Sequence, residues 1–195
     1  AGRLIALLGA CALAGCARHE APQTALRVGL AQPVLDVDPR RAADAASARV
    51  GRLLYSRLVD LDADYRPRPA AADWRQIDDL HWRFTLRAPR PRFADGAPLT
   101  ASDVAATYGA VLDAGNASPL RGELGPLAAA VAVDENSVDF TLSAADPLFP
   151  ARLTQGMLPA RCAPPAPAGD KPCHYDGSGP FVLEALNADR AVLTR

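Results

Sequence analysis

Apolar residues recur at two periods along this chain, and each period predicts a different kind of element. Trp82, Phe84 and Leu86 alternate with Arg83, Thr85 and Arg87, so one face of an extended segment is apolar and the other polar, which predicts a strand over 82–87. Val138-Asp139-Phe140-Thr141-Leu142 repeats the alternation, and with Val131-Ala132-Val133 and the turn residues Asp134-Glu135-Asn136 it predicts a hairpin. Residues 26–30 read as a short strand, and Phe181-Val182-Leu183 with Ala191-Val192-Leu193 predict a second hairpin. Helical spacing appears where Val50, Leu53, Leu54 and Leu58 recur at three and four residues, predicting a helix over 42–57. Val104, Tyr108, Val111 and Leu112 predict another, opened by Thr100 as N-cap with Asp103 as its capping-box acid and closed by Asp113, Gly115 and Asn116. Leu148, Phe149, Leu153 and Leu158 predict a short helix after Pro147. Between these elements, Asp62-Ala63-Asp64-Tyr65 reads as a turn followed by a Pro-rich connection to Trp74. Asp95-Gly96 is a turn in which glycine takes positive φ cheaply. Trp74 and Trp82 read as core aromatics, and Asp78, Asp79 and His81 as a solvated turn.

Composition narrows the function more than the fold. A net charge of −1 over 195 residues, with no basic stripe and no aromatic-arginine cluster, argues against a nucleic-acid partner. With 18 Pro and 14 Gly among clearly periodic apolar runs, the chain has many turns and short elements rather than disorder. Enzyme signatures are missing: there is no Gly-x-Ser-x-Gly, no His-x-x-x-His and no phosphate-binding Walker loop, and the 3 His are widely separated. Gly177-Ser178-Gly179-Pro180 suits a tight turn into a strand better than a nucleophile elbow. No cofactor and no metal are called for, and catalysis is not expected.

The first residues differ from the rest. Arg3 precedes an apolar run from Leu4 to Leu13, shorter than the about 20 residues a bilayer-spanning helix needs and of signal-peptide length. The run ends in Leu13-Ala14-Gly15-Cys16, which resembles the lipobox of bacterial lipoproteins. That resemblance implies a signal peptide over 1–15, an acylated Cys16 and a polar tether over 16–25. Two acyl chains on one thiol anchor a protein stably where one does not. With Cys11 lost in the signal and Cys16 acylated, Cys162 and Cys173 remain in an oxidising compartment and read as a disulfide. Closing the Pro-rich loop between them would contribute about 3 kcal/mol in the chain-entropy model. The alternative, a metal site built from Cys162, Cys173 and His174, lacks a fourth ligand and any C-x-x-C spacing.

Taken in order, Val37-Asp38-Pro39, Tyr55, Leu58-Val59, Trp74 and the 82–87 strand resemble bacterial extracellular solute-binding proteins of family 5, the oligopeptide, dipeptide and nickel receptors of ABC importers. The most specific stretch is Phe93-Ala94-Asp95-Gly96-Ala97-Pro98-Leu99-Thr100-Ala101-Ser102-Asp103-Val104, similar to the family's Phe-x-Asp-Gly-x-Pro-Leu-Thr-Ala-x-Asp-Val pattern. Ser118-Pro119, the Asp134-to-Leu142 hairpin and Gly177-Ser178-Gly179-Pro180-Phe181 follow in the family's order. Turn, cap and helix start account for that pattern without ligand chemistry, so Asp95 and Asp103 read as structural. The resemblance implies an α/β, periplasmic-binding-protein-like fold of type II with an extra domain II, truncated before the second lobe. It divides the mature chain into a first segment of domain I (26–45), domain II (46–172) and an incomplete return into domain I (173–195). It implies a periplasmic or otherwise extracytoplasmic location, a membrane ABC permease as partner, and a peptide or similar small solute as ligand. It also places Ala43, Asp44 and Ala45 where the family pairs with a peptide backbone in strand fashion, small side chains leaving backbone groups free. Leu120 falls where the family sets an apolar contact on the cleft. A non-transport sensor or regulatory module on the same fold is the alternative reading.

Overall fold

The computed structural model describes residues 26–162, 176–187 and 189–195. The chain falls into two units, Ala1–Leu30 and Ala31–Arg195. In the first, residues 26–30 form no strand, and Leu26 and Val28 are 90% and 71% exposed. The strand expected there is therefore absent. Alternation alone does not hold a segment extended; a neighbouring strand must take up its backbone groups, and none of the described strands does so.

The second unit begins with an irregular stretch leading to helix α1, Ala45–Leu54. This helix is shorter at both ends than its apolar spacing predicts. Asp44 is extended (φ −92°, ψ 156°) and its carboxylate accepts the Ser47 N–H at 2.9 Å, so the cap fixes the start three residues late. At the other end Tyr55 turns extended, and Arg57 bridges to Gly156 instead of continuing the helix. Strands β1 (Val59–Leu61) and β2 (Pro67–Pro69) then pair antiparallel around the Asp62 turn, whose Oδ1 accepts the N–H groups of Asp64 and Arg66. Pro67 and Pro69 disguise β2 as a loop in the sequence; a two-stranded ribbon has outward edges where the missing N–H costs nothing.

The centre of the unit is a four-stranded antiparallel sheet. Strand β3 (Ala72–Gln76), β4 (His81–Leu86), β5 (Leu127–Ala132) and β6 (Ser137–Leu142) lie in the order β3-β4-β6-β5. Register places Trp82 opposite Phe140 and Phe84 opposite Val138, so the inward residues of the two central strands form one apolar face. Helix α2 (Ala101–Leu112) packs on that face through Ala101, Val104, Tyr108 and Val111, all fully or almost fully buried. Phe84 and Phe140 meet edge to face at 5.1 Å, Tyr108 meets Phe140 likewise at 5.3 Å, and Phe149 closes the cluster at 5.6 Å from Phe140. Trp82 is buried in this core and half-buried Trp74 stacks on Phe84 at 5.7 Å. Opposite, on the outer face, Arg83 holds Asp139 in two 2.7 Å hydrogen bonds.

The expected helix after Pro147 is only a 3-10 turn, Phe149–Arg152, with Pro150 in its first turn. Leu153, Met157 and Leu158 continue as an extended, buried run. Thr107 of α2 pins that run: its Oγ accepts the Leu158 N–H at 3.1 Å and contacts the Leu158 carbonyl at 3.2 Å. Strands β7 (Val182–Leu186) and β8 (Ala191–Thr194) form the last hairpin. It joins the end of α1 where the N–H groups of Gly179 and Phe181 donate to the carbonyls of Leu54 and Leu53 at 2.8 and 3.1 Å.

Candidate functional site

The residues ahead of α1 are set by one tight turn. The Asp38 carbonyl accepts the N–H groups of Arg41 and Ala42, both at 2.9 Å. Its carboxylate accepts the Arg40 N–H at 2.9 Å and grips the Arg40 guanidinium through Nε and Nη2. Pro39 suits such a turn because its ring fixes φ. The pairing with Asp38 raises the Arg40 guanidinium above its ordinary value against the opposing effect of burial. From this fixed position Arg40 Nη1 donates to the Cys162 carbonyl, and the Arg40 carbonyl accepts the Ser118 hydroxyl. Ser118 Oγ in turn accepts the Leu120 N–H at 3.2 Å. Arg40 thus clasps three separate parts of the chain: the approach to α1, the 118–120 loop and the segment ending at Cys162.

Between the turn, which holds the Ala42 N–H, and the Asp44 cap lies the single residue Ala43. Ala43 and Ala45 are exposed and Asp44 is half-buried. Among the described residues, the N–H and C=O of Ala43 make no hydrogen bond. The Asp44 carboxylate is committed to the cap, and the Ser47 side chain and N–H hold its carboxyl below the usual carboxylate range. The hydroxyl of Ser47, itself wholly buried, accepts the N–H groups of Leu35 and Asp36 at 3.1 Å each, which anchors the preceding strip to the helix.

Leu120 lies near the Pro39–Ala42 turn, and only 5% of it is exposed. Most of its surface belongs to the core, and the rest lines a recess of about 140 Å³ with Pro39, Ala42, Tyr55, Gln155 and Gly156. Ala43, Asp44 and Ala45 are not among the residues lining that recess. Gln155 is 8% exposed and its Oε1 is buried without a partner among the described residues, a polar group left over in the recess. Burial raises the Tyr55 hydroxyl well above its ordinary value, so it stays a neutral phenol there. Cys162 is buried and disulfide-bonded; Cys173, His174 and Cys16 lie outside the described residues. Among the described residues no three His, Cys, Asp or Glu side chains come together to hold a metal ion. Sequence reasoning overlooked Arg40. Its signal was the Asp38-Pro39-Arg40 spacing, which brings acid and guanidinium together across a proline turn.

The family model for bacterial extracellular solute-binding proteins, family 5 Middle, matches residues 64–195. The chain belongs to this family. The periplasmic oligopeptide-binding protein OppA of Escherichia coli (strain K12) is 28% identical over 134 residues, 60% of this chain and 24% of that protein. The HTH-type transcriptional regulator SgrR of the same strain is 28% identical over 162 residues, covering 81% of this chain and 28% of the regulator. The structure of OppA from Burkholderia pseudomallei superposes with a TM-score of 0.73 at 18% identity, over 85% of this chain and 37% of that one. The fold of this family 5 chain is accordingly that of the type II periplasmic-binding proteins. The chain spans about a quarter of the length of the curated relatives it matches.

Proposed function

We propose that the full-length protein is a substrate-binding lipoprotein of an ABC importer that captures peptides, or a similar small solute, and performs no covalent chemistry on them. The observation that carries this reading is Ala43. Its N–H and C=O have no partner among the described residues, it is exposed, and the clasped Asp38 turn and the Asp44 cap fix it on either side. A fixed, unpaired backbone edge is what an extended peptide needs in order to add itself as a strand, with affinity that depends little on its side chains. Family membership and the likeness to an oligopeptide-binding protein support the same reading. Asp44 and Ala45 follow as the cap and first residue of α1, the Asp44 carbonyl being taken by the Ala48 N–H, and Leu120 offers an apolar contact from the recess it shares with Pro39 and Ala42. Capture shifts an open–closed equilibrium that a membrane permease reads. Cys16 carries the lipid anchor, the protein works outside the cytoplasm, and Cys173 closes the disulfide with Cys162.

Isothermal titration of the full-length protein with a mixed tri- and tetrapeptide library tests this. Saturable binding is expected, weakened at least tenfold in Ala43→Pro, which removes the N–H. Silence across the library with uptake of a sugar or metal complex instead would overturn the peptide assignment. The likeness to a transcriptional regulator over 81% of the chain favours a second reading, a ligand-binding module without a permease. A DNA-binding segment in the intact protein, with Cys16 unacylated, would decide for it.

A further inference from the structure

A second cavity lies near the far end of α1, about 510 Å³ in volume, with Arg52, Arg57, Arg87, Asp60, Ser56 and Ser178 among its walls. Three guanidiniums line it against one carboxylate. Arg57 follows the helix terminus, its side chain is 15% exposed, and it pairs with Asp60 at 2.8 Å through Nη2. Its Nε is buried and has no partner among the described residues. Arg52 is exposed and makes no ion pair or side-chain hydrogen bond among the described residues. Arg87 reaches Asp73 only at 3.4 Å, with about half its side chain in solvent. The two serines are already engaged with each other's chain: the Ser56 hydroxyl donates to the Ser178 carbonyl at 2.7 Å and the Ser56 N–H to Ser178 Oγ at 3.2 Å. The wall is therefore rigid, and the donors left over are guanidinium N–H groups.

That arrangement leaves guanidinium donors and an excess of positive charge along the cavity wall. Burial pushes the Arg57 guanidinium down, Asp60 opposes it, and the neighbouring charge of Arg52 pushes it down again. A buried donor without an acceptor costs free energy, and like charges at one cavity want a counter-charge. A planar oxyanion answers both, since the guanidinium fork matches the two oxygens of a carboxylate. We propose that this arginine-lined cavity is a carboxylate-binding site, formed by Arg52, Arg57 and Arg87 and separate from the residue 43–45 edge. The carboxylate comes from a small organic acid or from an acidic side chain in the part of the full-length protein outside this chain. The site does not rest on the peptide reading, because the two share no ligand-facing residue.

The test is calorimetric titration of the full-length protein with succinate at low ionic strength. One saturable site is expected, weakened at least tenfold by Arg52→Gln or Arg57→Gln, weakened also by added NaCl, and unchanged by Arg75→Gln, which removes an exposed guanidinium of β3 outside the cavity. If Arg57→Gln fails to fold, the exposed Arg52→Gln carries the comparison. An internal source is shown instead if succinate does not bind and a crystal structure of the full-length protein puts an Asp or Glu oxygen within about 3 Å of Arg57 Nε. Absence of both succinate binding and such a carboxylate overturns the proposal. Peptide titration of the same variants keeps the two readings distinct, since either can fail while the other stands.

Discussion

Asp103 serves three donors with one carboxylate. Oδ2 accepts the Thr100 N–H at 2.8 Å and the Thr100 hydroxyl at 2.7 Å, while Oδ1 accepts the Ala160 N–H at 2.7 Å, and the residue is 8% exposed. Asp103→Ala leaves those donors without acceptors and is expected to cost about 2–3 kcal/mol in urea denaturation, with Asp103→Asn in between. The capping box was legible, because Thr and an acid three residues on at the head of an apolar stripe have few other uses. The Ala160 contact was not, because nothing local joins positions 57 apart. Asp139 offers a pH test. Hydrogen bonds from Arg83 hold its carboxyl below the ordinary range, so the fold favours its ionised form. Its contribution is complete above about pH 4, the ordinary carboxylate value, and is lost as pH falls through the depressed one. The melting-temperature gap between wild type and Asp139→Asn should therefore narrow on acidification below about pH 4; a gap independent of pH would show that the pair contributes nothing electrostatic.

Among the elements, those announced by strict periodicity emerged within a residue or two: β4, β6 and α2 each show an unbroken pattern with a turn or cap beside it. Those that escaped did so for nameable reasons. Strand β2 is framed by prolines, and β5 begins at Leu127 rather than 131 because Ala128, Ala129 and Ala130 carry no alternation to read. Residues 26–30 alternate but have no partner among the described strands. The junction of the last hairpin with α1 hangs on close backbone approach. A Cβ at Gly179 would stand 2.5 Å from the Leu53 carbonyl oxygen, and one at Gly177 would run into the Leu54 carbonyl. Since both obstacles are backbone, Gly179→Ala is expected to displace the hairpin. Hydrogen exchange should show lost protection at the amides of position 179 and Phe181 while α2 keeps its own.

At the scale of the molecule, type II binding-protein architecture was legible through the ordered run of family residues, whereas the proposed cleft was legible only as a location. Ala43 could be placed by its distance from Pro39, but the free backbone that makes it interesting depends on Arg40, Ser118 and Cys162 meeting at one turn. Arg40→Ala removes the guanidinium's holds on the Asp38 carboxylate and the Cys162 carbonyl while leaving the backbone bond to Ser118, and is expected to weaken ligand binding by the full-length protein at least tenfold, with Arg40→Lys failing to restore it because an ammonium cannot reproduce the fork. An unchanged affinity in Arg40→Ala would show that the clasp serves stability alone. Membrane attachment has its own check: Cys16→Ala should move the intact protein from the membrane fraction to the soluble one, and a variant that still sediments with membranes would refute the anchor.

Helix α1 carries the Ala43 approach at its first residue and the hairpin junction at its last, and its ten residues make it about 15 Å long. A helix of that length is stiff, and both of its ends are fastened by hydrogen bonds to other segments. It therefore sets one spacing between the Asp44 cap and the turn into β7, so that lengthening or shortening α1 would move one attachment relative to the other.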